Sequence, residues 1–379
     1  MDTPQSQDPD SVPTEDFLAS VDSQADVDLS CDVCGAALVW DPAKDALLCS
    51  HCGNVCPVEL REGTIEERPM AAAGDAARGL GLETRTLECG TCGARVSLGG
   101  SATSEACAFC GSASLLALAE NRNPLSPESL IPLDLARDEA AERFRTWLRK
   151  LWFRPNALRR ANLDSGVGLY VPAWTYDCHV DSRWSAEAGH YYYVTQTYTV
   201  HVNGKSQTRT RRVRRTRWVP ARGRRQDSYD DIQVLASKGL APKVASRLGA
   251  FDTRELVPYQ AEYLAGWAAE EYQIDLLQGW DQAHERVVST QYQRCSGDVP
   301  GDTQRGLRVQ NQIQGVRWKL VLLPVWSLVY SFRGKNYAVL VNGQTGQVAG
   351  EAPYSWVKIF FAVLTAVGVA AAVAVGARG

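Results

Sequence analysis

Apolar residues recur with a helical period along 138–153. Ala140, Phe144, Trp147, Leu148 and Leu151 stand at i, i+4, i+7, i+8 and i+11, while Arg143, Arg145, Arg149 and Lys150 fall on the other faces. Pro155 then stops the helix, because proline lacks the backbone donor that a further turn needs. From 168 to 219 the chain becomes rich in Tyr, Trp, Val and Thr, the residues that suit a pleated strand. Inside that stretch, 190–202 and 205–219 flank Asn203-Gly204, a pair that tolerates the positive φ angles of a tight turn, so a long hairpin is predicted over 190–219. The segment 230–290 reads as helical, with Asp252-Thr253-Arg254-Glu255 as a cap. Strand character returns over 316–341 and closes at Asn342-Gly343. Tyr170-Val171-Pro172-Ala173-Trp174 echoes Leu322-Leu323-Pro324-Val325-Trp326, which fits a duplication or simply two similar strand starts. Finally, 359–375 carries no charge, Tyr354 and Trp356 precede it, and Lys358 marks its edge. That pattern predicts a transmembrane anchor over 357–376.

Eleven cysteines in 379 residues change the picture. The N-terminus has neither a basic n-region nor an apolar h-region, so no secretory signal is read, and unexported thiols stay reduced. Paired spacings then read as metal sites. Cys31-x-x-Cys34 is followed after fourteen residues by Cys49-x-x-Cys52, and Cys89-x-x-Cys92 is followed at the same spacing by Cys107-x-x-Cys110. Gly35, Gly53, Gly93 and Gly111 follow the four pairs. Each pair aims two thiolates at one point, and the glycine accepts the tight backbone beneath them. Two such knuckles complete a closed four-thiolate tetrahedron, the chemistry of two structural Zn2+ ions and not of a Lewis-acid catalyst. Iron in a rubredoxin-like site takes the same ligands. Cys56 lies near enough to compete with Cys52 but lacks the following glycine, and Cys178-His179 would point to opposite faces of a strand.

Net charge is only −3, yet its distribution is uneven. Residues 1–30 hold eight acids and no Lys or Arg, and 1–28 reads as a disordered acidic tail. Residues 205–225 hold ten bases and no acid. Pairing outward from Asn203-Gly204 sets Tyr198 opposite Arg209, Gln196 opposite Arg211 and Tyr192 opposite Arg215. One face then carries Tyr192, Tyr198, Arg209, Arg211 and Arg215, with Arg217 continuing the row. Such a surface suits nucleic acid, an anionic lipid headgroup or an acidic protein partner, or it is a solvated ribbon whose arginines prevent edge aggregation.

Catalytic signatures are missing from the sequence. Gly204-Lys205-Ser206 lacks the upstream glycine of a Walker A loop, since residue 199 is Thr. His284-Glu285 has no second His at zincin spacing, Gly79-x-Gly81 and Gly166-x-Gly168 lack a third dinucleotide-loop glycine, and no nucleophile elbow occurs. The expected architecture is α+β: tail 1–28, zinc ribbon 29–60, linker 61–86, zinc ribbon 87–114, and a mixed helix and antiparallel-sheet body over 130–355 with long hairpins, then the membrane helix.

Several motifs together resemble an uncharacterised bacterial family of zinc-ribbon membrane proteins. They are Phe144-x-x-Trp147-Leu148, Trp152-Phe153-x-Pro155, Tyr170-x-Pro172-x-Trp174, Thr216-Arg217-Trp218-x-Pro220, Asp230-Asp231-Ile232-x-Val234, Tyr263-Leu264-Ala265-Gly266, Leu322-Leu323-Pro324-Val325-Trp326, Asn342-Gly343-Gln344-Thr345-Gly346 and Pro353-Tyr354-Ser355-Trp356. The ribbons resemble the transcription-factor-IIB-type or rubredoxin-knuckle class. Such sequences are often labelled "primosomal protein N′ (replication factor Y), superfamily II helicase", but the nucleotide-binding motifs of a helicase are lacking here. The resemblance implies zinc sites and supplies no catalytic residues. The resulting expectation is a tail-anchored zinc-ribbon scaffold at a bacterial inner (cytoplasmic) membrane, its bulk in the cytoplasm, binding a macromolecular partner. The alternatives are a membrane-associated nucleic-acid-binding protein and an enzyme subunit.

Overall fold

The computed structural model describes residues 29–376 apart from 42–43, 59–63, 76–83, 100–105, 118–124, 161–162, 203–204 and 241. The acidic segment 1–28, much of the linker 61–86 and the Asn203-Gly204 turn therefore lie outside the described residues. The chain forms two compact units. One comprises Met1–Thr175, Gln233–Leu276 and Lys319–Gly379, the other Tyr176–Ile232 and Leu277–Trp318.

In the first unit, β1 (Leu38–Asp41), β2 (Ala46–Cys49) and β3 (Val55–Pro57) form a three-stranded antiparallel sheet. A larger sheet gathers β4 (Arg68–Pro69), β5 (Thr84–Cys89), β6 (Arg95–Gly99), β7 (Leu115–Ala117), β8 (Ser129–Leu130), β9 (Leu163–Val202), β10 (Lys205–Leu235), β11 (Val257–Pro258), β12 (Ala268–Glu270), β13 (Thr303–Phe332), β14 (Lys335–Asn342) and β15 (Val348–Gly350). Its main path runs β11-β8-β13-β9-β12-β6-β5-β7. Helix α1 spans Arg137–Lys150 and buries Ala140, Phe144 and Leu148, as its stripe predicts. The short α2 is Pro242–Ala245, α3 is Leu276–Asp298 and α4 is Trp356–Gly376.

The repeated Pro-x-Trp pentapeptides occupy matching positions. Leu169 and Tyr170 of β9 pair in parallel with Ala268 and Ala269 of β12, and Val321 and Leu322 of β13 pair in parallel with Ser129 and Leu130 of β8. Trp174 Nε1 donates to Ile274 O at 2.8 Å, four residues beyond β12, and Trp326 Nε1 donates to Leu135 O at 2.7 Å, five beyond β8. The carbonyl of Pro172 accepts from Ala236 N, and that of Pro324 from Gly343 N. A short strand, a helix and a long hairpin beginning at Pro-x-Trp thus occur twice in chain order, as β8-α1-β9-β10 and as β12-α3-β13-β14. Each tryptophan is fully or nearly buried, so its indole N–H needs that carbonyl.

Three expectations require correction. First, 230–290 is continuously helical only from Leu276; Gly239, Pro242, Gly249, Pro258 and Gly266 break the preceding stretch into the single turn of α2, short 3-10 turns and short strands. Asp252 does cap, accepting from Arg254 N at 3.1 Å, but it caps a single 3-10 turn. Second, the body is a mixed sheet with parallel pairs at its centre, and its strands reach 40 residues. The predicted run 316–341 is in fact a hairpin, turning at Arg333-Gly334, where both residues have positive φ (+52° and +72°) as a type I′ turn requires.

Third, no helix among the described residues is long and apolar enough to cross a membrane. The expected boundary residues also have protein partners. Arg154 lies over the Tyr354 ring at 3.5 Å, and Lys358 Nζ donates to Trp152 O and Asn156 Oδ1 at 3.1 and 2.7 Å. The membrane span over 357–376, the tail anchoring, the membrane partner and the inner-membrane location, which all rested on that span, fall with it.

In the second unit, α3 covers one face of a sheet made by the continuing strands β9, β10 and β13. Cys178, Val180 and Val287 form its small core, joined by Tyr229, Ile232, Trp280, Ile313 and Val316. The hairpin register follows the one read from the turn. His179 Nδ1 meets Ser228 Oγ at 2.9 Å, Gln226 Nε2 donates to Asp181 Oδ2 at 3.0 Å, and Arg211 Nη2 donates to Gln196 Oε1 at 2.9 Å. All three pairs are centred on 203–204.

Candidate metal centres and the arginine ribbon

The metal centres are built from four copies of one turn. In each, the glycine after the second cysteine donates its N–H to the carbonyl of the first: Gly35 to Cys31, Gly53 to Cys49, Gly93 to Cys89 and Gly111 to Cys107, at 2.7 to 3.0 Å. The cysteine N–H then bonds the carbonyl five residues on, from Cys31 to Ala36 through Cys107 to Ser112. The four glycines have φ between +70° and +75°, and a Cβ built on Gly35, Gly53 or Gly93 meets nothing within 4 Å. Backbone conformation, not space, therefore selects glycine.

These turns bring the thiols together as the spacing predicts. Cys31, Cys34, Cys49 and Cys52 form one group and Cys89, Cys92, Cys107 and Cys110 the other, with each group's sulfurs within 4.8 Å of one another. Sγ–Sγ distances are 3.7 Å for Cys31–Cys52, 3.5 Å for Cys34–Cys49, and 3.6 Å for both Cys89–Cys110 and Cys92–Cys107. A tetrahedral ion with metal–sulfur bonds of ~2.3 Å has edges of roughly 3.8 Å, so both cages fit a metal ion. Backbone donors already stabilise negative sulfur. Those from Cys52 and then His51 hold Cys49 down to about 6, and Cys107, bonded chiefly by Cys92, is lowered to about 5. Cys56 stays outside the first cage, accepting from Asn54 Nδ2 at 3.3 Å. Cys178 is buried while the adjacent His179 is exposed, as alternation in a strand requires.

Both cages are tied into the first unit. Trp40 of β1 is 1% exposed, lies 4.5 Å from the Tyr263 ring, and donates its backbone N–H to Ala265 O at 2.9 Å. At the second cage, β6 pairs with β12 from Ala268↔Leu98 to Glu270↔Val96, and Gln273 Nε2 donates to Gly93 O at 2.7 Å. Beneath that strand pair Glu271 accepts from Thr86 Oγ1 and Ser97 Oγ at 2.8 and 3.0 Å. These braces were not legible from cysteine spacing, because their partners lie up to 227 residues away, as with Trp267 Nε1 donating to Trp40 O.

The arginine ribbon belongs to the second unit. Asp302 N bonds Gly189 O and Tyr191 N bonds Asp302 Oδ2, so β13 begins beside Gly189 and the hairpin beyond it is two-stranded. Tyr192 and Tyr198 are exposed, as are Arg209, Arg211, Arg215 and Arg217. Arg211 lies over the Tyr198 ring at 5.4 Å. Sequence reasoning missed the opposite face, where Arg212 covers Tyr193 and Arg214 covers Tyr191 at 5.4 and 4.2 Å. Alternation from Asn203-Gly204 already implied it. Among the described residues, no carboxylate pairs with an arginine of 209–217.

No family model matches the chain, and no solved structure matches it. The chain is 28% identical over 237 residues to the uncharacterised protein YdjG of Bacillus subtilis (strain 168). The match covers 62% of this chain and 66% of that protein, just under two thirds of its length. Nothing in that relative points to an enzymatic activity.

Proposed function

We propose that the chain is a zinc-braced binding protein whose two four-thiolate centres hold the first unit together and whose arginine–tyrosine ribbon engages an anionic macromolecule. Zinc is the ion that best suits closed four-cysteine cages with sulfur edges of 3.5 to 3.7 Å. The observation that carries the binding reading is the ribbon itself. It is two-stranded, exposed on both faces, and carries arginines that no described carboxylate neutralises. A free sheet edge is ordinarily shielded, and charged residues on it discourage self-pairing. Interleaved rings and guanidinium groups go further and supply stacking as well as charge.

The test is direct. The zinc-loaded chain is titrated with a fluorescein-labelled oligonucleotide and with a labelled polyglutamate peptide, at low and high salt. Binding of one of these that weakens with salt, and that is lost in the Arg209→Ala/Arg211→Ala/Arg215→Ala variant, is expected. Equal binding by that variant and the unaltered chain would contradict the reading.

A further inference from the structure

On the face of the second unit opposite α3, the three strands open a groove of about 660 Å³ lined by Arg183, Trp184, Ser185, Arg222, Arg224 and Arg308. Among these arginines Arg224 forms an ion pair. Arg224 clamps Asp181 through two guanidinium nitrogens, and Gln226 donates to the same carboxylate. The clamp holds Asp181 down to about 2, so the acid stays a fixed, satisfied anion. Arg183, Arg222 and Arg308 are exposed and form no ion pair among the described residues, although Arg183 is near enough to Asp181 to help hold it ionised. On the other face of the same strand pair, Gly223 leaves room for the Trp184 ring, since a Cβ there would lie 2.4 Å from it. The groove is thus a concave basic site on three adjacent strands.

It does not end at the groove. The unbroken register between 179/228 and 196/211 means that even positions of β10 share one face. Arg222 and Arg224 therefore stand in line with Trp218, Arg214 and Arg212. Rings alternate with the cations along this line: Tyr193, 60% exposed, Tyr191, and Trp218, which Arg305 covers at 4.2 Å. From 212 to 224 the row extends ~40 Å at 3.3 Å per residue. A fully stacked strand at 3.4 Å per phosphate would place about twelve phosphates along it, and a strand drawn out onto the rings fewer.

We propose, resting on the reading of the ribbon as an anion-binding surface, that the partner is a single-stranded nucleic acid. Its backbone lies in the Arg183/Arg222/Arg308 groove and its bases run out along Tyr191, Tyr193 and Trp218. An acidic polypeptide would use the cations and leave the rings without a role. A duplex would keep its bases stacked away from them.

The experiment uses the full zinc-loaded chain and measures anisotropy of labelled oligo-dT of about twelve and about twenty-four nucleotides, the corresponding duplex and polyglutamate. The groove variant is Arg183→Gln/Arg222→Gln/Arg308→Gln, checked for unchanged circular dichroism. Three phosphate contacts on a single strand account for a salt slope of about 2, so the variant is expected to bind oligo-dT about 100-fold more weakly near 0.1 M salt. Arg308→Gln alone, the milder change, is expected to lose about fivefold. The unaltered chain is expected to prefer the single strand to the duplex. If the groove variant binds oligo-dT like the unaltered chain while the Arg209/Arg211/Arg215 variant does not, this inference is overturned and the ribbon reading stands. If neither variant loses affinity, both are overturned. Tighter binding of polyglutamate than of oligo-dT overturns the nucleic-acid identity alone.

Discussion

Replacing Cys49 by Ser removes one sulfur from the first cage and tests whether the metal braces the fold. Cys49 ends β2 and donates its backbone N–H to Asn54 O within the second knuckle. Without a metal across 31, 34 and 52, nothing covalent or ionic joins the two knuckles among the described residues, and the three short strands keep only their own pairing and the Trp40 contacts with Tyr263, Ala265 and Trp267. A sheet that small is marginal in water. Those strands bury Leu38, Trp40 and Leu47, which are 7%, 1% and 6% exposed. Burial of such side chains contributes about 1.5–3 kcal/mol each, or roughly 5–9 kcal/mol together. That is comparable with the whole stability of an ordinary domain, about 5–15 kcal/mol. The variant should therefore lose one ion per chain and melt roughly 10 °C lower or more. The tryptophan emission should shift to the red, and the shift should shrink in a Trp40→Phe background. A Cys49→Ser chain that melts within about 2 °C of the unaltered one, with Trp40 still buried, would refute the reasoning.

Three further outcomes follow from single groups. Glu128 is buried, and desolvation raises its carboxyl from 4.5 to about 7 despite Arg68 Nε and Leu320 N at 3.1 and 2.8 Å. Its protonated form is the one the fold favours, so the stability it supplies is full below 4.5 and lost as pH rises through 7, by up to about 3 kcal/mol. Urea melts of Glu128→Gln between those limits should show a flatter pH slope than the unaltered chain, and an unchanged slope would count against this. Trp174→Phe and Trp326→Phe each leave a carbonyl without its indole donor, that of half-buried Ile274 and that of buried Leu135, and should each cost about 1–3 kcal/mol in chemical denaturation. A markedly unequal pair would argue against the internal repeat. Gly93→Ala meets no atom but must hold φ near +72°, so a loss of about 1–2 kcal/mol is expected, with metal content retained.

How much of this was legible depended on whether the signal was local. The metal cages were fully legible, since four Cys-x-x-Cys-Gly turns carry their own geometry. The ribbon's register followed from the turn at 203–204, and α1 followed from its stripe. The region 230–290 misled because apolar residues at helical spacing lie between glycines and prolines that set the backbone first. The hairpin at Arg333-Gly334 escaped because Arg seldom takes a positive φ and gives no warning. The C-terminal segment was judged on apolar length, while the contacts that engage Tyr354 and Lys358 come from 152–156, about 200 residues earlier. The groove on the open sheet face needed β13 to be placed beside β9. Its Arg308 is separated from Arg183 by more than a hundred residues, and no motif joins them.

The most direct test of the account is elemental analysis of the full chain purified without added metal. Two zinc ions per chain are predicted, falling to one in Cys31→Ser/Cys34→Ser and to one in Cys89→Ser/Cys92→Ser. Iron in place of zinc, or a zinc content that neither double substitution lowers, would contradict it.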